Sequence, residues 1–158
     1  MAQPTQVVRK PKQPAHLKRS PAPARRRLFD GNLTGLGAHD LVTQGVSVLD
    51  AKQLLKAFTV IDEGQLYSVL GITARTMQRR AASAHKTLDP NASDRALRLV
   101  SVTSQAIDVL GSLEAAERWL STPAIGLDQR KPIDLLRSSG GTELVKTLLT
   151  RMDYGVYA

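Results

Sequence analysis

The stretch from Leu70 to Arg80, LGITARTMQRR, concentrates side chains suited to reading nucleic acid. Arginine chelates the O6 and N7 acceptors of guanine, glutamine pairs with adenine, and threonine serves a base edge or a phosphate. Thr73, Arg75, Thr76, Gln78, Arg79 and Arg80 supply all three kinds in one short run. Met77 and Ala81 are four apart and would turn inward on a helix. The preceding residues provide the frame: Gly71 for a tight turn, Ile72 as an apolar anchor, Thr73 as an N-cap. A short helix ending at Leu70 would therefore be followed by a recognition helix, the outline of a helix-turn-helix. A solvated basic helix behind an ordinary turn has the same composition, and the pattern alone leaves both readings open.

Other chemistry finds no foothold. The three histidines, His16, His39 and His85, form no H-x-x-x-H pair, and no carboxylates cluster at ligand spacing. His39 sits beside Asp40 in what reads as a loop, and adjacent residues there do not orient one another as a dyad. There is no G-x-S-x-G, no P-loop and no G-x-G-x-x-G. With no cysteine, disulfides, thiol catalysis and Cys-based metal sites are excluded, which fits a cytoplasmic location. The expectation is a protein that is not an enzyme and carries no cofactor and no metal. No run approaches the roughly 20 apolar residues that span a bilayer, so no membrane partner is expected. The N-terminus lacks the apolar stretch of a secretory signal.

The elements that must position the basic helix follow from apolar spacing of three and four, which runs from residue 47 onward. SVLDAKQLLKAF places Val48, Ala51, Leu54, Leu55 and Phe58 on one face. DEGQLYSVLG is a short second helix and TARTMQRRAASAH a third. SDRALRLVSVTSQAIDVLG is long, with Leu97, Val100, Ser104, Ile107 and Leu110 on one stripe and Gly111 as its end. Ser112 caps LEAAERWLS, which Pro123 stops. KPIDLLRSSGG starts a helix at Pro132 that Gly140 and Gly141 would terminate, after which Thr142 would cap ELVKTLLTRMDYG. Residues 28–46 are glycine-rich and ambiguous. The reading is an all-α chain of about seven short helices.

The net charge of +8 is unevenly placed. Residues 1–27 carry eight bases and no acid, leaving 14 bases against 14 acids beyond them. The same arm holds five of the eight prolines, so residues 1–30 read as a disordered basic arm. It is a solvated tail or a nonspecific phosphate-binding arm with salt-dependent affinity; a transit peptide fits less well because prolines oppose its helix. Residues 47–90 form one candidate module, basic in its second half. Residues 91–158 form another, and from 101 onward it holds six bases and seven acids. The contrast points to two different partners.

LGITARTMQRR, LDPNASDRALRL and AAERWLSTPAIGLDQRKPIDLLRSSGGTELVKTLLTRMDYGVYA together resemble the Xre/ParS/MbcA-type antitoxins, bacterial partners of RES-domain toxins. The resemblance covers residues 47–158. It rests on Ser93-Asp94-Arg95 with Arg98, Trp119-Leu120 before Pro123, Pro132 with Leu135-Leu136, Gly141, and Gly155-Val156. Two positions depart from the family pattern. Ala92 stands where a Glu is usual, and the segment between Pro123 and Pro132 lacks the usual LGG-like turn. Ser93, Asp94 and Arg95 would cap the long helix, and Trp119 would belong to the core.

The resemblance implies an Xre-like helix-turn-helix module that dimerises and represses its own operon by binding operator DNA, followed by a helical toxin-binding module. RES toxins are similar to ADP-ribosyltransferases and consume NAD or transfer from it, and the family's C-terminal end reaches toward the toxin's NAD pocket. The implied assembly is a homodimer within a hetero-oligomeric complex with the cognate toxin. Under that reading Tyr154 and Tyr157 stack or hydrogen-bond where the nucleotide would sit, and Gly155 lets Val156 and the following residues extend. The carboxylate of Ala158 would meet a toxin arginine, and Arg151 and Asp153 would hold the pocket rim. Three competing readings are open. The tyrosines could finish a helix docked on the chain's own core. The chain could be a stand-alone DNA-binding regulator, or a pure interaction module whose basic helix is solvated.

Overall fold

A computed structural model describes residues 35–84 and 86–156. The basic arm, His16, His85, Tyr157 and Ala158 lie outside the described residues. Within them the chain is all-α, with eight α-helices and one 3-10 turn. Extended pairing there is confined to two isolated bridges, Ser47 with Thr87 and Ala124 with Arg130.

The ambiguous glycine-rich segment yields α1, Leu36–Gln44. No side chain caps it, so packing of Ala38, Leu41 and Val42 against the core holds it. Helix α2, Val48–Ala57, buries Val48, Ala51, Leu54 and Leu55, with Phe58 just beyond, as the spacing predicts. Asp62 caps α3, Glu63–Leu70, and Thr73 caps α4, Ala74–Ala82. Between α3 and α4 the Gly71 N–H donates to the Ser68 carbonyl and the Ile72 N–H to the Tyr67 carbonyl. This is a Schellman ending, with Gly71 in the left-handed region at φ 70° and Ile72 half-buried against the core.

Helix α5, Pro90–Leu110, differs from expectation at both its start and its faces. Asp89, not the Ser93-Asp94-Arg95 run, is its N-cap: a carboxylate oxygen accepts from the Ala92 N–H at 2.9 Å. Ser93 lies inside the first turns, fully buried, and its Oγ accepts from the Val46 N–H at 2.9 Å. The buried set is Ala92, Ser93, Ala96, Leu97, Leu99, Val100, Val102, Thr103 and Ala106. Ser104, Ile107 and Leu110 are only half-buried. A single stripe fails here because α1, α3, α6 and α8 pack on α5 from several sides.

Ser112 caps α6, Leu113–Ser121, as read from sequence. The 3-10 turn Ile125–Leu127 and a short α7, Pro132–Leu135, lead into α8, Ser139–Asp153. Gly140 and Gly141 do not end a helix; they lie in the first turn of α8, which Ser138 caps. Gly141 is required by contact instead, since a Cβ there would fall 2.2 Å from the Leu135 carbonyl oxygen. Thr142, expected as a cap, is buried and donates its hydroxyl to the Ser138 carbonyl. Trp119 is half-buried against the core.

Asp128 and Gln129 both stand in the left-handed region, at φ 53° and 60°. They lie in the segment where the family pattern has its glycine-containing turn. Left-handed backbone costs a side-chain-bearing residue on the order of 1 kcal/mol. Gln129→Gly is therefore expected to raise stability by about 0.5 kcal/mol, the relieved strain being partly offset by unfolded-state entropy. Denaturant midpoints would test this, and a fall in midpoint would show that no strain resides there.

Candidate functional site

Helix α4 carries the predicted base-reading residues. Arg75, Gln78 and Arg79 are exposed, Thr76 is half-buried, and Met77 is fully buried. Ala81 packs against the core from the same side. Thr73 Oγ1 accepts the Thr76 N–H at 3.1 Å and lies 3.0 Å from Thr76 Oγ1. These two hydroxyls therefore brace the helix start. Arg80 stands apart from the exposed set. Its guanidinium donates to the Thr87 carbonyl and to the Asp89 carboxylate, each at 3.1 Å. Asp89 thus caps α5 with one oxygen and holds the end of α4 with the other. The accessible polar face of α4 is Arg75, Gln78 and Arg79, with the threonines at its amino end.

Beside that face, Lys52, Lys56, Glu63, Tyr67, Ala74 and Gln78 line a groove of about 230 Å³ between α2, α3 and α4. Tyr67 donates its hydroxyl to Glu63 at 2.9 Å. Burial, then the hydrogen bond to Glu63 and its charge, push the phenol above its usual range, so it remains a neutral donor. Lys52, Lys56 and Glu63 are the charged groups of its lining.

Three contacts that sequence reasoning missed set the position of α3 and α4. Arg95 of α5 lies over the turn: a Cβ on Gly71 would land on its guanidinium. Gln65 of α3 reaches the Asp134 carboxylate in α7 at 3.5 Å. Most consequential is Glu117 of α6, which is 0% exposed. Its Oε2 accepts the backbone N–H groups of Thr59, Val60 and Ile61 at 2.9, 2.6 and 3.1 Å. The loop between α2 and α3 is therefore closed around a carboxylate from 56 to 58 positions further along the chain. The local signal was its place four residues after Leu113 and three before Leu120, on the apolar face, but the sequence could not name the backbone donors that it meets.

The C-terminal helix ends in a second Schellman arrangement. The Gly155 N–H donates to the Met152 carbonyl and the Val156 N–H to the Arg151 carbonyl, at 3.1 and 2.9 Å. Tyr154 is 78% exposed and Val156 59%. Arg151, Asp153 and Gly155 are exposed as well. Tyr154 does not finish the chain's own core, the first of the competing readings. Tyr157 and Ala158 lie outside the described residues. Among the described residues no group of three His, Asp or Glu side chains is placed to hold a metal ion. No helix among them is long and apolar enough to cross a membrane.

Residues 37–101 match the model of the antitoxin Xre-like helix-turn-helix domain. Residues 105–155 match the antitoxin Xre/MbcA/ParS C-terminal toxin-binding domain. The chain is 31% identical to the Antitoxin Xre of Yersinia enterocolitica over 120 residues, which is 75% of this chain and 80% of that protein. This chain belongs to the Xre/MbcA/ParS antitoxin family. It is also 27% identical over 127 residues to the Prs ADP-ribosylating antitoxin of a Sphingobium species, covering 75% of this chain and 79% of that protein. Within this family frame, α1 to α4 and the first half of α5 form the helix-turn-helix domain. The last part of α5 through α8 forms the toxin-binding domain. The two meet inside one continuous helix, and one apolar core runs through both.

Proposed function

We propose that this antitoxin neutralises a RES-domain toxin by putting its C-terminal segment into the toxin's NAD pocket, and that it represses its own operon as a homodimer. The site of action is the cytoplasm. Arg151, Asp153, Tyr154, Gly155, Val156, Tyr157 and Ala158 are the toxin-facing set, and Arg75, Gln78 and Arg79 are the base-reading set on α4. Thr73 and Thr76 contribute hydroxyls at the amino end of that helix. Arg80, tied to Thr87 and Asp89, holds α4 rather than reading DNA. The observation that carries the toxin reading is the exposure of Tyr154 and Val156 at the end of the last helix of a toxin-binding domain. Exposed aromatic and apolar groups at a helix end are suited to a concave partner.

The test measures NAD consumption by the toxin encoded beside this chain, with and without the full-length antitoxin. Undiminished consumption at saturating antitoxin would refute the blocking mechanism. A stand-alone regulator, the alternative, would bind DNA and leave the toxin untouched.

For the DNA arm, Arg75→Ala combined with Arg79→Ala is expected to weaken operator binding at least tenfold. It should also flatten the salt dependence by about one unit of slope for each phosphate that the variant no longer neutralises. Arg80→Ala, by contrast, should lower thermal stability and leave that slope intact. An unchanged slope in the double variant would mean that α4 does not face the DNA.

A further inference from the structure

Seven large hydrophobic residues are exposed among the described residues, and four of them, Ile125, Leu144, Tyr154 and Val156, fall within the last 32 residues of the described chain. Two of these four are not at the helix end. Ile125 opens the 3-10 turn and is 79% exposed; Leu144 lies in the second turn of α8 and is 59% exposed. They belong to one strip. Leu148 follows Leu144 by one helical turn on the same face. Gly126, next to Ile125, lies so close to Leu148 that a Cβ there would sit 2.9 Å from its Cδ1. One further turn along α8 brings Met152, half-buried, and then the exposed helix end at Tyr154 and Val156. The neighbouring face of α8, Gly141, Val145 and Leu149, lies about 60° round the helix and is buried in the core, so the apolar surface of the helix runs past its covered edge into the strip.

We propose that the strip formed by Ile125, Leu144 and Leu148 is the anchor that supplies most of the affinity for the toxin, whereas the segment after Asp153 supplies inhibition. The proposal rests on the toxin reading above and deepens it. The occupant is an apolar hollow on the toxin, next to the mouth of its NAD pocket. Two observations favour the toxin over a second copy of this chain. The strip is continuous with the exposed helix end, and it lies wholly within the domain matched as toxin-binding. The other exposed hydrophobic residues, Leu36, Leu49 and Val60, lie in the helix-turn-helix domain or immediately before it. Buried apolar anchors at the centre of an interface dominate binding, while surrounding polar contacts contribute little.

The experiment compares the full-length antitoxin with two variants, Ile125→Ser combined with Leu144→Ser, and Leu36→Ser as a control at a position as exposed as Ile125, 82% against 79%. Affinity for the purified toxin is measured by calorimetry, residual NAD consumption is measured at saturating antitoxin, and mass is measured by sedimentation. Circular dichroism verifies that each variant is folded, as the exposure of all three positions leads one to expect. The strip variant should bind about 30-fold more weakly or worse. It should still stop NAD consumption once saturation is reached, and its mass should be unchanged. Leu36→Ser should bind as the parent does. If the strip variant binds within threefold of the parent, the anchor is elsewhere and the proposal fails, while parent binding still upholds the toxin reading. If the strip variant loses self-association and keeps its toxin affinity, the strip is a contact between copies, and the proposal fails. If the parent itself does not bind toxin, both fail together.

Discussion

An antitoxin ending at Asp153 is expected to bind its toxin and leave NAD consumption running. Of the residues removed, the described ones, Tyr154, Gly155 and Val156, contribute little to the fold. Tyr154 is 78% exposed, Gly155 and Val156 are exposed too, and the hydrogen bonds that go with them are the few that close the end of α8. Moving a free carboxylate to the end of that helix costs about 0.3–1 kcal/mol against the helix dipole, so the shortened protein should remain folded. The core face of α8, with Val145 and Leu149, and the apolar strip beside it are both kept. Affinity should therefore fall by less than about tenfold, which corresponds to 1.4 kcal/mol. Inhibition should drop far more, because a segment that no longer reaches the pocket cannot exclude the nucleotide at any concentration. The decisive measurement is NAD turnover at saturating truncated protein. Turnover near the uninhibited rate supports a plug. Turnover as low as with the full chain would place inhibition elsewhere in residues 94–153 and leave DYGVYA as a helix end without a task.

Glu117→Ala should be the most damaging single substitution outside the apolar core. A hydrogen bond to a charged group contributes about 1.5–3 kcal/mol, and Glu117 accepts three from backbone N–H groups. Thr59 and Val60 are exposed residues, so water can replace part of what their N–H groups lose; Ile61 is buried and has no such recourse. The net loss is expected to be about 3 kcal/mol, a fall in melting temperature of roughly 10 °C. Glu117→Gln keeps an acceptor near the same three donors, gives up the charge, and should lose about half as much. The consequence is also functional. The 59–61 loop leads directly into α3, and α3 with its Gly71 turn sets the angle of α4. The Ala variant should therefore bind operator DNA more weakly at temperatures where it is still folded, although the carboxylate is on α6 and not on α4. A melting temperature within about 2 °C of the parent, a difference below 1 kcal/mol, would show that the loop holds its shape without the carboxylate.

Glu117 and Glu114 together mark where sequence reading stops. Both lie in α6, three residues apart. Glu114 forms an exposed ion pair with Arg118, the ordinary i,i+4 arrangement, whereas Glu117 is completely buried. The three-and-four spacing from Leu113 and to Leu120 puts Glu117 on the apolar face and Glu114 off it, but nothing in LEAAERWLS names the partner that a buried carboxylate needs. The helix-turn-helix was legible because its signals are local. Thr73 caps, Gly71 turns and Met77 points inward, each deciding the backbone within four residues of itself. The same locality made α2, α3, α4 and α6 readable from their caps and apolar faces. It failed for α1, which has no side-chain cap, and for Gly140 and Gly141, a pair that resembles a stop signal but opens α8, with Gly141 needed for contact with Leu135. Nor could it show that Arg80, whose charge suits DNA, has partners within the chain in Thr87 and Asp89.

The sequence by itself determined the helical class, the family, the cap that starts the basic helix and the apolar and aromatic character of the chain's end. Tertiary structure alone decided which of the basic residues on α4 remain free and that Tyr154 faces outward. It also decided that the C-terminal domain holds the helix-turn-helix domain in place through Glu117. The physical reason is distance along the chain. Caps, turns and periodicity act over a few residues, while Glu117 meets its donors 56 to 58 positions away, in a loop that folding alone brings to it.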